Sequence, residues 1–492
     1  MSSPTRATLP LVSLFIAACY ADSPTPTGIT SLPGAISSAV SESSMDICHL
    51  TGSGGSVKSV SLSQWPSHRN HGDYALQWQV DPHAAVTGDG IHFARITDAV
   101  SAADSTRRKN SEKSSGACRI TISVAAGDYM GSFDVTSSTL ERFPIFMGVP
   151  DVTLRGALAM PNDDNHRASG AGTVGASIIK PDRGLTATET MVVIADDTSG
   201  YKGNGVAVEN FRFRSGYDTL GTVNGGLGIG ALRVRDVLIR GNHFERTLQT
   251  AIDFRASRAL IENNYANFFG TTCGICLAGP GSYDVNNNRL VEGKFVGLFA
   301  APVIVLPNFP MGTHSSIVVA PYVAPAVAAD TASINNNDIS NQRHHPMGFG
   351  IGIRLVTFTA SGTSGVTQSG KIRLSRNTLS NNSFAVSIDA NTVLNGASPV
   401  APGNIDVTFT KNDIGPSCRN NLIVSFSRFS HTIAGTAHPY LKNSTYDLSL
   451  GGDTSWSDAW YDNPFGLGNT LRVDGVVQPN GTQASPGDTP SC

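Results

Sequence analysis

Ile239-Arg240-Gly241-Asn242-His243-Phe244 and Val285-Asn286-Asn287-Asn288-Arg289-Leu290 are two copies of one phrase, aliphatic-x-x-Asn-x-aliphatic, within residues 230–426. It returns as Ile334-Asn335-Asn336-Asn337-Asp338-Ile339, Leu374-Ser375-Arg376-Asn377-Thr378-Leu379 and Phe409-Thr410-Lys411-Asn412-Asp413-Ile414, with a weaker copy at Ile261-Glu262-Asn263-Asn264-Tyr265-Ala266. The anchors 242, 264 and 288 are 22 and 24 residues apart, and 337 lies two such steps further on. The next steps are 40 and 35 residues, with the excess in Ser/Thr/Gly/Pro-rich stretches that read as looped-out turns. About ten residues after most anchors comes a second phrase: Ala251-Ile252-Asp253-Phe254, Gly274-Ile275-Cys276-Leu277, Ala385-Val386-Ser387-Ile388.

A period of 20–25 residues carrying short period-two strands predicts a solenoid. One such unit cannot bury its apolar side alone, so successive turns must stack and share a core. Asparagine at a fixed phase tolerates a left-handed corner, and stacked amides can hydrogen-bond from turn to turn. With these residues in view, the chain resembles the right-handed parallel β-helix of the pectate lyase-like superfamily over most of residues 80–440. The resemblance implies an all-β solenoid; because this fold hosts several chemistries and some proteins with none, it implies no particular activity.

The 492 residues therefore need not be several ordinary domains. Abundant glycine (51), few charges (15%) and few aromatics (7%) suit many tight turns around a small-residue core. A formal net charge of −3 gives no global reason to expect nucleic acid or an anionic membrane as partner. Residues 1–21 read as an export signal: Arg6, then apolar Leu9–Ala18, then small residues, a run too short to span a bilayer. Ile16-Ala17-Ala18-Cys19 also resembles a bacterial lipobox, leaving free secretion and a lipid anchor on Cys19 as alternatives at the cell surface. Residues 22–45 read as a flexible linker, 46–78 as a small module, 79–440 as the β-helix and 441–492 as a C-terminal cap with a Gly/Pro/Ser tail containing Trp456 and Trp460.

The module holds Cys48-His49 near its start and His68-Arg69-Asn70-His71-Gly72-Asp73 near its end, and resembles a short Cys-His…His-x-x-His-Gly-Asp unit of secreted bacterial proteins. His68 and His71 at i, i+3 would share a face of one helical turn. Cys48, His49 or Asp73 would then complete a zinc-like site, against the reading that the histidines brace a small fold. A further cysteine soon after the His-Gly-Asp is common in that unit; here none follows until Cys118. An exported chain permits disulfides among Cys48, Cys118, Cys273, Cys276, Cys418 and Cys492, but their pairing is not readable from sequence. Cys273-Gly-Ile-Cys276 lies in a predicted strand, so structural or free thiols are expected rather than a redox pair. Phe93, Ile96, Val100 and Ala103 fall on one helical stripe and predict a cap over the open end of the core, followed by a charged exposed stretch over 107–113.

Equivalent residues of stacked turns lie about 4.8 Å apart, so a row of outward side chains suits an extended polymer. Phasing on the asparagines places Glu245-Arg246, Glu292 with Lys294, and Arg343-His344-His345 at successive corners, with Asp253, Arg255, Arg354 and Asp389 outward on the adjoining strand. Residues 202–260 are also locally basic, with Arg212, Arg214 and Arg240 among nine cations against five acids. Eliminative cleavage of a uronic-acid polymer needs a cation at the carboxylate, a base for the C5 proton and an acid for the leaving oxygen. Lys294, His344, His345, Arg246, Asp253 and Arg354 are the candidate catalytic residues, and Arg255, Arg343, Glu292 and Asp389 the candidate substrate contacts. Hydrolysis would need two carboxylates about 5–9.5 Å apart, for which Asp253 with Glu245 or Glu292 carries no motif. The expectation is an exported monomer binding, and where catalytic cleaving, an acidic polysaccharide; the alternative is a non-catalytic adhesion scaffold.

Overall fold

The anchor asparagines form one buried column. The Oδ1 atoms of Asn264, Asn288, Asn337, Asn377 and Asn412 accept the backbone N–H of Asn242, Asn264, Asn288, Asn337 and Asn377 at 2.9–3.1 Å. Each Nδ2 also donates to a strand carbonyl of the preceding coil, as from Asn264 to Ile239 O (3.0 Å) and from Asn288 to Ile261 O (2.8 Å). Backbone groups at a corner have no strand partner, and this ladder satisfies them without water. The left-handed residue is not the anchor, as the sequence suggested, but its predecessor: Gly241, Asn263, Asn287, Asn336, Arg376 and Lys411 have φ between +52° and +64°. The division of labour follows from geometry, since the anchor must turn its amide inward while the residue before it reverses the backbone.

This structure, a computed structural model, describes residues 44–52, 54–83, 89–110, 118–133, 139–157, 176–185, 189–195, 203–214, 226–245, 250–255, 258–267, 273–278, 281–292, 296–301, 330–342, 350–359, 368–392, 403–415, 417, 420–426 and 441–482. Residues 1–43, which hold the export segment and most of the linker, lie outside them. Within them the chain is a parallel β-helix. Three long sheets, of 14, 10 and 11 described strands, are each built from successive coils in sequence order. Val237–Arg240, His243–Glu245 and Thr250–Arg255 show the repeat, contributing one strand each to the first, second and third sheet.

Inward positions stack like on like. Ile229, Ile252, Ile275, Ile353, Val386 and Leu422 share one register row of the third sheet, all within 2% of full burial. On the second sheet, the rings of Phe213 and Phe244 stack 5.0 Å apart. Each fully buried aliphatic or aromatic side chain contributes about 1.5–3 kcal/mol, so the core grows coil by coil rather than around one centre.

The lower end is closed by the helix Ile96–Lys109, whose Ile96, Ala99, Val100 and Ala103 are buried. Its N-terminal residue Arg95 supplies no side-chain cap. Instead the Glu141 carboxylate, one coil away, accepts Ile96 N–H (2.7 Å), Thr97 N–H (2.8 Å) and the Thr97 hydroxyl (2.8 Å). The expected exposed stretch from residue 107 is corrected at its start. Arg107 continues the helix, is 2% exposed, and reaches the Tyr74 hydroxyl and Asp151 O, both at 3.2 Å. Its long stem lets a cation lie within the stripe while its head finds oxygens.

The N-terminal module pairs Ser44–Thr51 antiparallel with Gly54–Ser61 and Tyr74–Ala75, with the short helix Trp65–Asn70 between. Cys48 is bonded to Cys118, a pairing that ties the module to the solenoid 70 residues later. This corrects the expected ligand set, because a sulfur committed to a disulfide has no thiolate to offer a metal. Cys276 is likewise disulfide-bonded. Gln77–Val80 already pairs with Ile120–Val124 as part of the first sheet. At the far end the coils run beyond residue 440: Thr445–Ser449 and Thr470–Val473 extend the first sheet and Trp460–Asn463 the third. Val476–Val477 then pairs antiparallel with Thr470–Val473 and Gly481–Thr482 with Trp460–Asn463, which ends both sheets.

Candidate functional site

The residue that follows each anchor asparagine points out of the core, because the next residue along the strand (Phe244, Ala266, Leu290, Ile339, Leu379) points in. Register places Arg212, His243, Tyr265, Arg289, Asp338, Thr378 and Asp413 in one outward row of the second sheet, one residue per coil. With strands about 4.8 Å apart, the run from Arg212 to Asp338 spans about 19 Å. His243 and Tyr265 meet edge-on with ring centroids 4.7 Å apart. The Arg289 guanidinium carbon lies 5.9 Å from the Tyr265 ring centre, and its Nε is 3.1 Å from Asp338 Oδ2. Tyr265, Arg289 and Asp338 are half-buried, accessible from solvent, whereas His243 is 3% exposed.

Two residues further along the strand a parallel row carries Arg214 and Glu245. Arg212 and Arg214 both pair with the single carboxylate of Glu245, Arg214 through Nε at 2.6 Å. Two guanidiniums sharing one carboxylate leave a net positive charge in a partly buried place. Burial, and then the neighbouring Arg214, push Arg212 down to about 10. It stays protonated at neutral pH, in surroundings where a second anion would be stabilising. The first sheet differs. There the outward charges alternate in sign, Arg155 with Glu209 (2.9 Å) and Arg240 with Glu262 (2.6 Å), and neutralise one another.

The outer face of the third sheet is the place of Asp253, Arg354 and Asp389, and it is not an open wall. Their neighbours Ile252, Phe254, Ile353, Leu355 and Ile388 fill the core, so the three point outward, yet they are 5%, 8% and 0% exposed. Arg354 donates from Nε and Nη2 to the two oxygens of Asp389, both at 2.9 Å, and the Ser387 hydroxyl donates to Asp389 Oδ2 at 2.9 Å. The fork of this guanidinium is closed on a buried carboxylate, which corrects the expectation of Arg354 and Asp389 as open, solvent-facing side chains on that strand. Glu292 is corrected too. It does not align with Glu245, whose row continues to Val291 and Ser340; Glu292 is the left-handed corner residue (φ +56°), equivalent to Asn341 and Asn381. Arg246, Lys294, Arg343, His344 and His345 lie outside the described residues, as does the side chain of Arg255.

The basic character of this region is legible in the sequence, but the alignment of His243, Tyr265 and Arg289 was not among the expectations. The signal was available: each immediately follows an anchor already used as phase.

In the module, Asp73 Oδ2 lies 2.9 Å from His49 Nδ1 and 2.7 Å from His68 Nδ1, while Leu50 N–H donates to Oδ1 at 2.8 Å. Burial alone would raise this carboxyl; hydrogen bonds from His49, Leu50 and His68 outweigh it and hold Asp73 below the usual carboxylate range. His71 is exposed and outside this group, contrary to the expected i, i+3 pair.

No protein-family model matches the chain, and no curated protein does. Among solved structures it is similar to an endo-xylogalacturonan hydrolase from Aspergillus tubingensis, at 9% identity over 76% of this chain and 84% of that one, with a TM-score of 0.42. It is also similar to the A-module of the mannuronan C-5 epimerase AlgE6 from Azotobacter vinelandii, at 14% identity over 82% and 91%, TM-score 0.39. A third is the DFA-IIIase from Arthrobacter chlorophenolicus A6, at 13% identity over 83% and 99%, TM-score 0.37. Likeness at this level carries nothing about substrate or catalytic residues. No described helix is long and apolar enough to cross a membrane.

Proposed function

We propose that this chain is a cell-surface or secreted protein that binds an extended acidic polysaccharide along the outward row from Arg212 to Asp338 of the second sheet. The observation that carries the reading is the row itself: Arg212, Tyr265 and Arg289 half-buried on the outer face of the second sheet, one residue per coil, with the buried His243 packed between Arg212 and Tyr265. Its rise per coil is close to the length of one sugar in an extended chain, so successive units would meet successive coils. Arg212 and Arg214 supply surplus positive charge for a carboxylate, and the Tyr265 ring supplies a surface for a pyranose face.

The same row suits β-elimination. Arg289, beside Tyr265, would neutralise a uronate carboxylate and lower the cost of the carbanion formed at C5. The Tyr265 hydroxyl, once deprotonated, would take the C5 proton, and the electron pair then expels the glycosidic oxygen at C4, which leaves with a proton from solvent or an acid nearby.

Gel retardation on alginate, pectate and glycosaminoglycans, together with ultraviolet absorbance of unsaturated chain ends, tests both parts. Replacing Arg212 and Arg214 by alanine should weaken binding about tenfold or more, ~1.4 kcal/mol. Tyr265→Phe should abolish unsaturated ends while keeping binding. Retained binding with no unsaturated ends from the unaltered protein would move the reading to a non-catalytic adhesion scaffold, and arginine variants that bind like the parent would reject the row altogether.

A further inference from the structure

The module at the base of the solenoid brings together three groups distant in sequence. His49 is on the strand Ser44–Thr51, His68 on the helix Trp65–Asn70, and Asp73 follows the turn after that helix. One oxygen of Asp73 faces Nδ1 of both imidazoles, at 2.9 and 2.7 Å, and among the described residues these three form the only cluster of metal-ligating side chains. The other Asp73 oxygen is held by Leu50 N–H (2.8 Å), which fixes how the carboxylate is presented. The imidazoles stand edge to face, with centroids 5.7 Å apart.

The scaffold is braced beside two of the three groups. Cys48, next to His49, is pinned to Cys118 by the disulfide, and Cys48 pairs with Tyr74, next to Asp73, in the module's sheet. Asp73 has a side chain 1% exposed, whereas that of His49 is 36% exposed. One wall of the cluster is therefore buried and the other open to water.

We infer that His49, His68 and Asp73 form a binding site for a divalent zinc-class ion, with two imidazole nitrogens and one carboxylate oxygen as ligands and a fourth position open to solvent. Borderline-soft ions favour this mixed nitrogen and oxygen set, and three protein ligands with one open position is a stable arrangement for zinc. Bonds of about 2.0–2.1 Å in a tetrahedron place ligand atoms about 3.3 Å apart. Loading thus requires the imidazoles to retreat from Asp73 by roughly half an ångström, within the freedom of a half-exposed His49. This site is independent of the polysaccharide row, lying in the N-terminal module and using none of the row's residues.

The experiment uses the full chain, stripped with a chelator and titrated with Zn²⁺ by calorimetry and with Co²⁺ by visible absorption. The expected result is one equivalent bound, with the intense visible bands of four-coordinate cobalt. His49→Ala and His68→Ala should each weaken binding by more than the roughly hundredfold that even an outer-shell partner can cost, while His71→Ala leaves it unchanged. His49 is half-exposed on its strand, so H49A remains informative even if H68A fails to fold. Absence of binding to the unaltered protein, retention in H49A, or an equal loss in H71A would each overturn the inference.

Discussion

Asn288→Ala tests the ladder that sets the fold. Asn288 is 1% exposed, with its side chain serving three coils. Its Oδ1 accepts from Asn264 N–H (3.0 Å) and Asn264 Nδ2 (2.9 Å); its Nδ2 donates to Ile261 O (2.8 Å), Asn286 O (3.1 Å) and Asn337 Oδ1 (3.0 Å). Alanine keeps the backbone but removes all five contacts. The Asn264 N–H and Ile261 O are left without the partners that satisfied them, and Asn337 Oδ1 loses one of two donors. Orphaning a buried polar group costs about 1–3 kcal/mol, so the substitution should destabilise by about 3–5 kcal/mol once some relaxation is allowed. Because a solenoid couples each coil mainly to its neighbours, the loss should concentrate around the coils of residues 258–342 rather than spread evenly. Urea unfolding gives the total, and amide exchange read by mass spectrometry gives its place. A loss below about 1 kcal/mol, or exchange that rises uniformly along the chain, would refute the view that the ladder carries the corners.

Two further outcomes follow from the N-terminal end. Burial raises the Glu141 carboxyl, only partly offset by the N–H groups of Thr97 and Ile96 and the Thr97 hydroxyl that it caps. The folded state therefore holds that proton more tightly than the unfolded chain does, so this group's stabilisation is full below its ordinary value of 4.5 and is lost as pH rises through the folded value. Glu141→Gln should flatten the thermal-stability profile in that window, and an unchanged slope between Glu and Gln would contradict the assignment. Replacing Cys48 and Cys118 by serine opens a loop of 70 residues and should cost about 4 kcal/mol by the chain-entropy account; a melting temperature within a degree or two of the parent would contradict it.

The asparagine phase was legible because it records a local necessity repeated in every coil: a corner needs its backbone groups satisfied, and asparagine supplies both donor and acceptor. The apolar rows were legible for a related reason, since identical neighbours above and below impose the same alternation on each strand. The capping stripe at Ile96, Val100 and Ala103 was likewise written in a single helix. Phase alone, however, did not say which residue of each corner takes the left-handed backbone. That choice depends on which side chain must face inward.

The sequence by itself determined that the coils stack, and hence that residues dozens of positions apart become neighbours. Only the tertiary structure decided what those neighbours do to one another. Arg354 reads as a free cation until Asp389 closes on its fork. Cys48 reads as a ligand until Cys118 takes its sulfur, and His243, Tyr265 and Arg289 read as unrelated until register sets them in one row. The physical reason is that a side chain's chemistry is fixed by burial and by the partner within hydrogen-bond reach, and in this chain those partners come from other coils.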